Sequence, residues 1–285
     1  MAARILDGRA LANELREEVV ARARRLRERG IDPRLVVTLV GEDPASHAYV
    51  RSLEKAGARV EVDVAVDVLA GDVEEAALRA HLEALGDDPG VHAVMLQQPL
   101  PAHLAIRRIA EAMPPHKDVD GANPVNLGRL AFASGTEFVP ATPLACMLLL
   151  ERSAKWPLRG VRACVVGRSN VVGLPVSLLL MARDATVTVV HRETKNLAAH
   201  VREAEIIVTA TGVPGLITRE MVAPGAVVVD VGTTYVDGHV LGDVAPDVAE
   251  VAGEFTPVPG GVGPVTNVAL MRNVVLAAER LNGRH

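Results

Sequence analysis

Arg162-Ala-Cys-Val-Val-Gly-Arg-Ser-Asn-Val-Val-Gly-Leu-Pro175 is the stretch whose reading decides the fold. An apolar β-type run, Ala163 to Val166, stops at Gly167. The polar turn Arg168-Ser169-Asn170 follows. Gly173, Pro175 and Val176 then lead into Ser177-Leu-Leu-Leu-Met-Ala182, which reads as a helix. Strand, glycine turn and helix form the unit that sets a helix N-terminus against a phosphate. Gly167 allows a sharp turn, and Gly173 lets helix and strand approach closely. The spacing is not the common G-x-G-x-x-G, so an ordinary βα turn is the competing reading of this stretch alone.

The 285 residues allow one large or two medium domains. Hydrophobic residues make up 49% and aromatics only 2%, so the core must be built from Leu, Val, Ile and Ala. That supply suits a buried parallel sheet with helices on its faces. A net charge of −5 points away from nucleic acid and anionic membranes as main partners. Cys146 and Cys164 both sit in apolar runs, as buried free thiols of a reducing compartment do. The opening Met-Ala-Ala-Arg-Ile-Leu-Asp-Gly lacks the long apolar stretch of a signal peptide, and no run approaches a membrane span. A soluble, cytoplasmic protein is the expectation.

Outward from the glycine turn, the chain alternates strand and helix on both sides. Before it come a helix from Ala10 to Glu28, strands at Leu35–Val40, Val60–Val68 and Val91–Leu96, and helices at Ser46–Ala58, Val73–Leu85 and Ala105–Met113. Ser46 is a candidate cap. Thr142-Pro143 opens an apolar connecting helix that runs to about Glu151. After the turn come strands at Thr186–Val190, Ile206–Ala210 and Ala226–Val231, with a helix at Leu197–Ala204. Val236-Asp-Gly-His239 signals a hairpin. Thr256-Pro-Val-Pro-Gly-Gly-Val-Gly-Pro-Val-Thr266 reads as a stiff loop with exposed backbone N–H groups, and a helix from Asn267 to Leu281 closes the chain. The fold class is α/β, with two α/β units and a Rossmann-type parallel sheet in the second.

The strand after the glycine turn ends where the adenosine ribose of a dinucleotide lies in such sheets. Its tip, His191-Arg192-Glu193-Thr194, offers a cation for the 2′-phosphate of NADP and an acid for the ribose of NAD. With Arg168 as a second cation the balance leans to NADP, and NAD stays open. Val172 completes the turn. Thr211, Gly212 and Gly232, at two further strand ends, flank the expected nicotinamide position. In the first unit Ser46, Tyr49, Gln97, Asp118 and Asp120 are polar groups at the rim where α/β sheets bind ligands. The histidines show no metal-ligand spacing, and no metal is expected.

Five segments occur in a distinctive order: Gly41-Glu-Asp-Pro-Ala-Ser-His-Ala-Tyr-Val50, Gln97-Gln-Pro-Leu-Pro101, Lys117-Asp-Val-Asp-Gly121, Gly167-Arg-Ser-Asn-Val-Val-Gly-Leu-Pro175 and Pro257-Val-Pro-Gly-Gly-Val-Gly-Pro264. Over nearly its whole length the chain resembles the methylenetetrahydrofolate dehydrogenase/methenyltetrahydrofolate cyclohydrolase family of the bacterial bifunctional type. The resemblance implies two α/β domains around a cleft. Residues 1–140, joined by the C-terminal helix of about 267–285, would hold a reduced folate, and a Rossmann-type domain at 141–266 would hold NADP. It also implies a homodimer formed through the nucleotide domains. It puts the catalytic and folate-binding set on Tyr49, Gln97 and Asp120, with backbone contacts at Pro259, Gly260 and Gly261. The cofactor set falls on Gly167, Arg168, Ser169 and Gly232. Arg192 stands where the family usually carries serine.

One departure matters most. The family places a catalytic lysine four residues after the tyrosine, one helical turn along the same face. That position here is Leu53. Lys55 is turned well away from the face of Tyr49. Oxidation of 5,10-methylenetetrahydrofolate moves a hydride and needs alignment, whereas hydrolysis of the methenyl product to 10-formyltetrahydrofolate needs proton transfer. The expectation is a dehydrogenase that has lost most of its cyclohydrolase activity. The alternatives are another NAD(P)-dependent dehydrogenase acting on a small acid, and a non-catalytic folate- or nucleotide-binding relative.

Overall fold

Parallel pairing runs through both main sheets of the protein. The computed structural model describes residues 3–135 and 138–283. The chain divides into two units, Glu14–Ala141 with Asn267–His285, and Met1–Asn13 with Thr142–Thr266. In chain order the elements begin β1 (Arg4–Ile5), α1 (Gly8–Arg27), β2 (Arg34–Val40), α2 (Pro44–Arg59), β3 (Asp63–Leu69), α3 (Glu75–Asp87), β4 (Ala93–Leu96), α4 (Ile106–Ile109), α5 (Pro124–Ala131) and α6 (Ala141–Leu150). They continue β5 (Arg162–Val166), α7 (Gly173–Met181), β6 (Thr186–Val190), α8 (Leu197–Arg202), β7 (Ile206–Thr209), β8 (Val227–Asp230), β9 (Thr234–Val236), β10 (His239–Leu241), β11 (Glu254–Phe255) and α9 (Val262–Leu281).

The smaller sheet has the order β3-β2-β4. Its central strand is buried from Leu35 to Val40, which is why that run carries no alternation. Val36, Val40, Leu78, Leu82, Val94, Ile109 and Met113 pack into one apolar cluster on it. Val60 and Val62 fall outside β3, because Val60 closes the C-terminus of α2. Asp43, and not Ser46, caps α2: its carboxylate accepts from Ser46 N at 2.8 Å and from Ser46 Oγ at 2.7 Å.

The larger sheet has the order β1-β11-β8-β7-β5-β6. β5 sits between β6 and β7, so the chain leaves β5 to one side and later returns to the other. In open α/β sheets such a reversal marks the C-terminal ends of the strands beside it, here β5 and β7, as the place where ligands bind. β7 and β8 are buried along their whole length, whereas β6 is an exposed edge. β9 and β10 form the expected hairpin, with Asp237 and Gly238 at φ 49° and 82° as a tight turn requires.

The N-terminus corrects the expected domain boundary. Residues up to Asn13 belong to the unit of the larger sheet, because Arg4–Ile5 pairs in parallel with Glu254–Phe255. Arg4 Nε donates to Glu254 Oε1 at 2.8 Å, and Ala154 N donates to the same carboxylate at 3.1 Å. Glu254 is buried, so its carboxylate oxygens take their hydrogen bonds from these donors. α6 opens at Ala141, one residue before the expected Thr142. α9 begins at Val262, five residues early, so half of the expected stiff loop is helix. Pro264 fits there because it lies in the first turn, where no intrahelical N–H is needed. Glu254→Ala should lower stability by about 1–3 kcal/mol, read by urea denaturation, since it strands the donors around a buried carboxylate.

Candidate active site

The turn after β5 is built by contact between backbones. Gly167 has φ 117°, and a Cβ on it would lie 2.5 Å from Ala210 O. A Cβ on Gly173 would lie 2.1 Å from Gly167 O. Both positions exclude any side chain, so α7 starts directly against the end of β5. Ser169 Oγ accepts from Val172 N at 3.1 Å, which fixes the exposed loop that presents Arg168. At the tip of β6, His191 N donates to Thr194 Oγ1 at 2.9 Å. Arg192 is exposed and paired with Glu193 at 3.1 Å, so the acid that favours NAD is engaged by the base that favours NADP.

The turns after β7 and β8 are pinned by carboxylates. Asp243 Oδ2 accepts from Thr211 N at 2.6 Å and from Thr211 Oγ1 at 2.9 Å. Thr234 Oγ1 donates to Gly212 O at 3.2 Å. Gly232 N donates to Asp230 Oδ1 at 2.9 Å. Burial pushes the Asp230 carboxyl up to about 6, against backbone N–H bonds that pull it down. The Pro259-Gly260-Gly261 segment rests on the first turn of α1. A Cβ on Gly8 would lie 1.7 Å from Gly261 O, and Gly260 has φ 118°. Sequence reading did not single out Gly8 as a seat for this loop. Its Asp-Gly pair ahead of a helix was the available signal, since Asp7 Oδ1 caps the helix at Arg9 N.

In the other unit Tyr49 lies half-buried on α2, and Leu53 one turn later is fully buried. Burial, and then the charge of Asp120, push the Tyr49 phenol up, so these two residues lie within electrostatic reach. Burial likewise holds the Asp120 carboxyl at about 7, although Ala141 N donates to it at 3.3 Å and part of its surface stays accessible. Gln97 follows β4 and is buried. Its Nε2 donates to Gln98 O at 2.5 Å, and its Oε1 has no partner. Asp118, expected at the ligand rim, is instead wholly buried and accepts from Ala122 N, Asn123 N and Asn126 Nδ2. It shapes the loop that carries Asp120. Asn273 on α9 donates from Nδ2 to Val119 O and Val139 O, both at 2.8 Å, and so clamps the same loop. Among the described residues no group of three His, Cys, Asp or Glu is placed to hold a metal. No helix there is long and apolar enough to cross a membrane.

Comparison with known proteins decides between the dehydrogenase readings. Residues 6–120 match the family model of the tetrahydrofolate dehydrogenase/cyclohydrolase catalytic domain, and residues 140–282 that of its NAD(P)-binding domain. The chain belongs to the tetrahydrofolate dehydrogenase/cyclohydrolase family. It is 48% identical to the bifunctional protein FolD of Cupriavidus pinatubonensis, over 99% of this chain and 100% of that protein. The crystal structure of the bifunctional enzyme from Campylobacter jejuni superimposes with a TM-score of 0.95 at 38% identity, covering 98% of this chain and 99% of that one. The Trypanosoma brucei enzyme, solved with NADP cofactor and inhibitor, gives 0.92 at 37% identity over 98% of each chain. Family membership bears out the resemblance carried by the five quoted segments and the α/β reading of both units.

Two measurements follow from this geometry. Gly173→Ala should cost about 1–3 kcal/mol in thermal denaturation and weaken NADP binding, because the added carbon must displace backbone. A carboxyl held near 7 binds its proton more tightly in the folded chain than in the unfolded one. Its burial therefore costs more stability as pH rises from about 4 to 7. Asp120→Asn should match the parent in urea denaturation near about pH 4 and exceed it increasingly up to about pH 8.

Proposed function

We propose that the protein oxidises 5,10-methylenetetrahydrofolate to 5,10-methenyltetrahydrofolate with NADP and has lost most of the hydrolysis of the methenyl product. Leu53 carries this reading: a fully buried apolar side chain stands at the family's lysine position, among otherwise retained residues.

Bound NADP supplies the hydride acceptor. The residues present fit it, since Gly167 and Gly173 bring the start of α7 directly against the end of β5 and leave Arg168 and Ser169 exposed on the turn between them. Arg168 and Arg192, both exposed on adjacent turns, would hold the 2′-phosphate, with Ser169 and Val172 shaping the loop between strand and helix. Thr211, Gly212 and Gly232 would lie along the nicotinamide. Tyr49, Gln97 and Asp120 would hold the folate, with Pro259, Gly260 and Gly261 offering backbone. Loss of a hydride from the methylene carbon leaves a cation spread over two nitrogens, so this step asks the protein for alignment and not for a base.

Hydrolysis asks for more. Water adds to the methenyl carbon, loses a proton, and a carbon–nitrogen bond opens. The Tyr49 phenol is pushed up and stays protonated at neutral pH, and leucine neither gives nor takes a proton. The orphaned Oε1 of Gln97 accords with the same reading, since leucine at position 53 offers it no donor. A homodimer through the larger-sheet unit accords with the exposed edge strand β6, where Thr186, Thr188 and Val189 lie open. A cytoplasmic setting accords with two buried free cysteines.

Both half-reactions measured side by side test the proposal. NADPH should form from methylenetetrahydrofolate, while methenyl hydrolysis stays close to its spontaneous rate, about 10²–10⁴-fold below what a positioned proton carrier gives. Leu53→Lys should raise hydrolysis at some cost in stability, since it buries an amine. Robust hydrolysis by the unaltered protein would overturn the loss and point to Asp120, whose carboxyl titrates near 7, as the proton carrier.

A further inference from the structure

Asp243 has no role in the reading above, yet it is fully buried and lies where two strand-end turns meet. Its Oδ2 takes three donors: Thr209 Oγ1 at 2.9 Å, Thr211 N at 2.6 Å and Thr211 Oγ1 at 2.9 Å. One oxygen thereby ties the last residue of β7 to the turn beyond it. Its other oxygen, Oδ1, has no hydrogen-bond partner. That oxygen presses on the turn after β8, because a Cβ on Gly232 would lie 2.2 Å from it.

The backbone of Asp243 completes the tie. Its N–H donates to Asp230 Oδ1 at 3.1 Å, and Val244 N donates to Asp230 Oδ2 at 3.0 Å. Asp230 Oδ1 also accepts from Gly232 N, while Asp230 N donates to Thr256 Oγ1 at 2.8 Å. Ile217 N donates to Asp243 O at 3.0 Å and holds the segment from its far side. The chain that leaves β8 through the β9–β10 hairpin thus returns to fasten the ends of β7 and β8 to each other. A partnerless buried oxygen is a cost the fold carries in order to keep Gly232 and Asp243 in contact.

We propose that Asp243 is a positioning residue for hydride transfer: by fastening Thr211 and Gly232 it fixes the spacing of the two turns against which the nicotinamide lies. This rests on the assignment of NADP to the larger-sheet unit. Among the described residues Asp243 hydrogen-bonds neither the turn after β5 nor the tip of β6, so its influence falls on one half of the dinucleotide. Loss of the tie should misplace the reacting ring while leaving the adenosine end seated.

The test uses the full chain, its Asp243→Ala and Asp243→Asn variants, and two readouts. One is kcat for NADPH formation at saturating methylenetetrahydrofolate and NADP. The other is the affinity for 2′,5′-ADP, which carries only the adenosine end. Asp243→Ala should lower kcat about 10- to 100-fold with 2′,5′-ADP affinity within about twofold of the parent, because small displacements of reacting groups cost rate on this scale. Asp243→Asn keeps an oxygen and should fall between. If the alanine variant does not fold, the asparagine variant decides alone on the same two readouts. Unchanged kcat, or equal losses of kcat and 2′,5′-ADP affinity, would overturn the proposal and leave Asp243 a purely structural residue. A parent protein that binds 2′,5′-ADP but forms no NADPH would overturn the assigned reaction, and the positioning role with it.

Discussion

Two glycines, Gly167 and Gly173, let three pieces of backbone share the space that side chains occupy elsewhere. Carbonyl oxygens stand 2.5 and 2.1 Å from where their Cβ atoms would be. The end of β5, the start of α7 and the segment after β7 are therefore drawn into direct contact. The loop between the glycines is short, and Ser169 Oγ accepts from Val172 N within it. All other ligand-facing turns of the larger sheet take their position relative to this contact, since β6 and β7 pair with β5 along its length. A methyl group at either glycine would move the frame and not only a side chain.

The long elements were legible because burial writes itself as composition. β2, β5, β7 and β8 are buried on both faces and read as mainly apolar runs without alternation. The exposed edge β6 alternates valine with threonine. Elements of two residues carry no period at all, so β1 and β11 were invisible, and with them the membership of the N-terminal residues. α5 was missed because its turn-rich approach ends in Pro124, which in fact occupies the helix's first turn under the cap of Asn123. The same property of proline hid the true start of α9.

Site residues divide along a similar line. Tyr49, Gln97, Asp120 and the glycine turn stand in motifs dense enough to suggest a family, and Leu53 shows in sequence as the discordant member of the catalytic set. The residues that hold these groups in place left no such trace. Asp118 and Asp120 look alike in sequence, yet one is turned inward to bind backbone and the other keeps part of its surface open. Gly232 apart, the side chains of Asp230 and Asp243 act on partners 13 to 34 positions away, across a hairpin and a sheet. Support of this kind is a property of the folded chain and has no local spacing to betray it.

Asn273 has a consequence for the order in which the molecule is made. Its amide bonds the backbone at Val119 and Val139, more than 130 positions earlier, and so clamps the loop carrying Asp120. A growing chain reaches Asn273 only after every strand of the larger sheet has been synthesised. The loop carrying Asp120 therefore stays unclamped through most of translation, and the smaller-sheet unit is finished only after the larger sheet is complete.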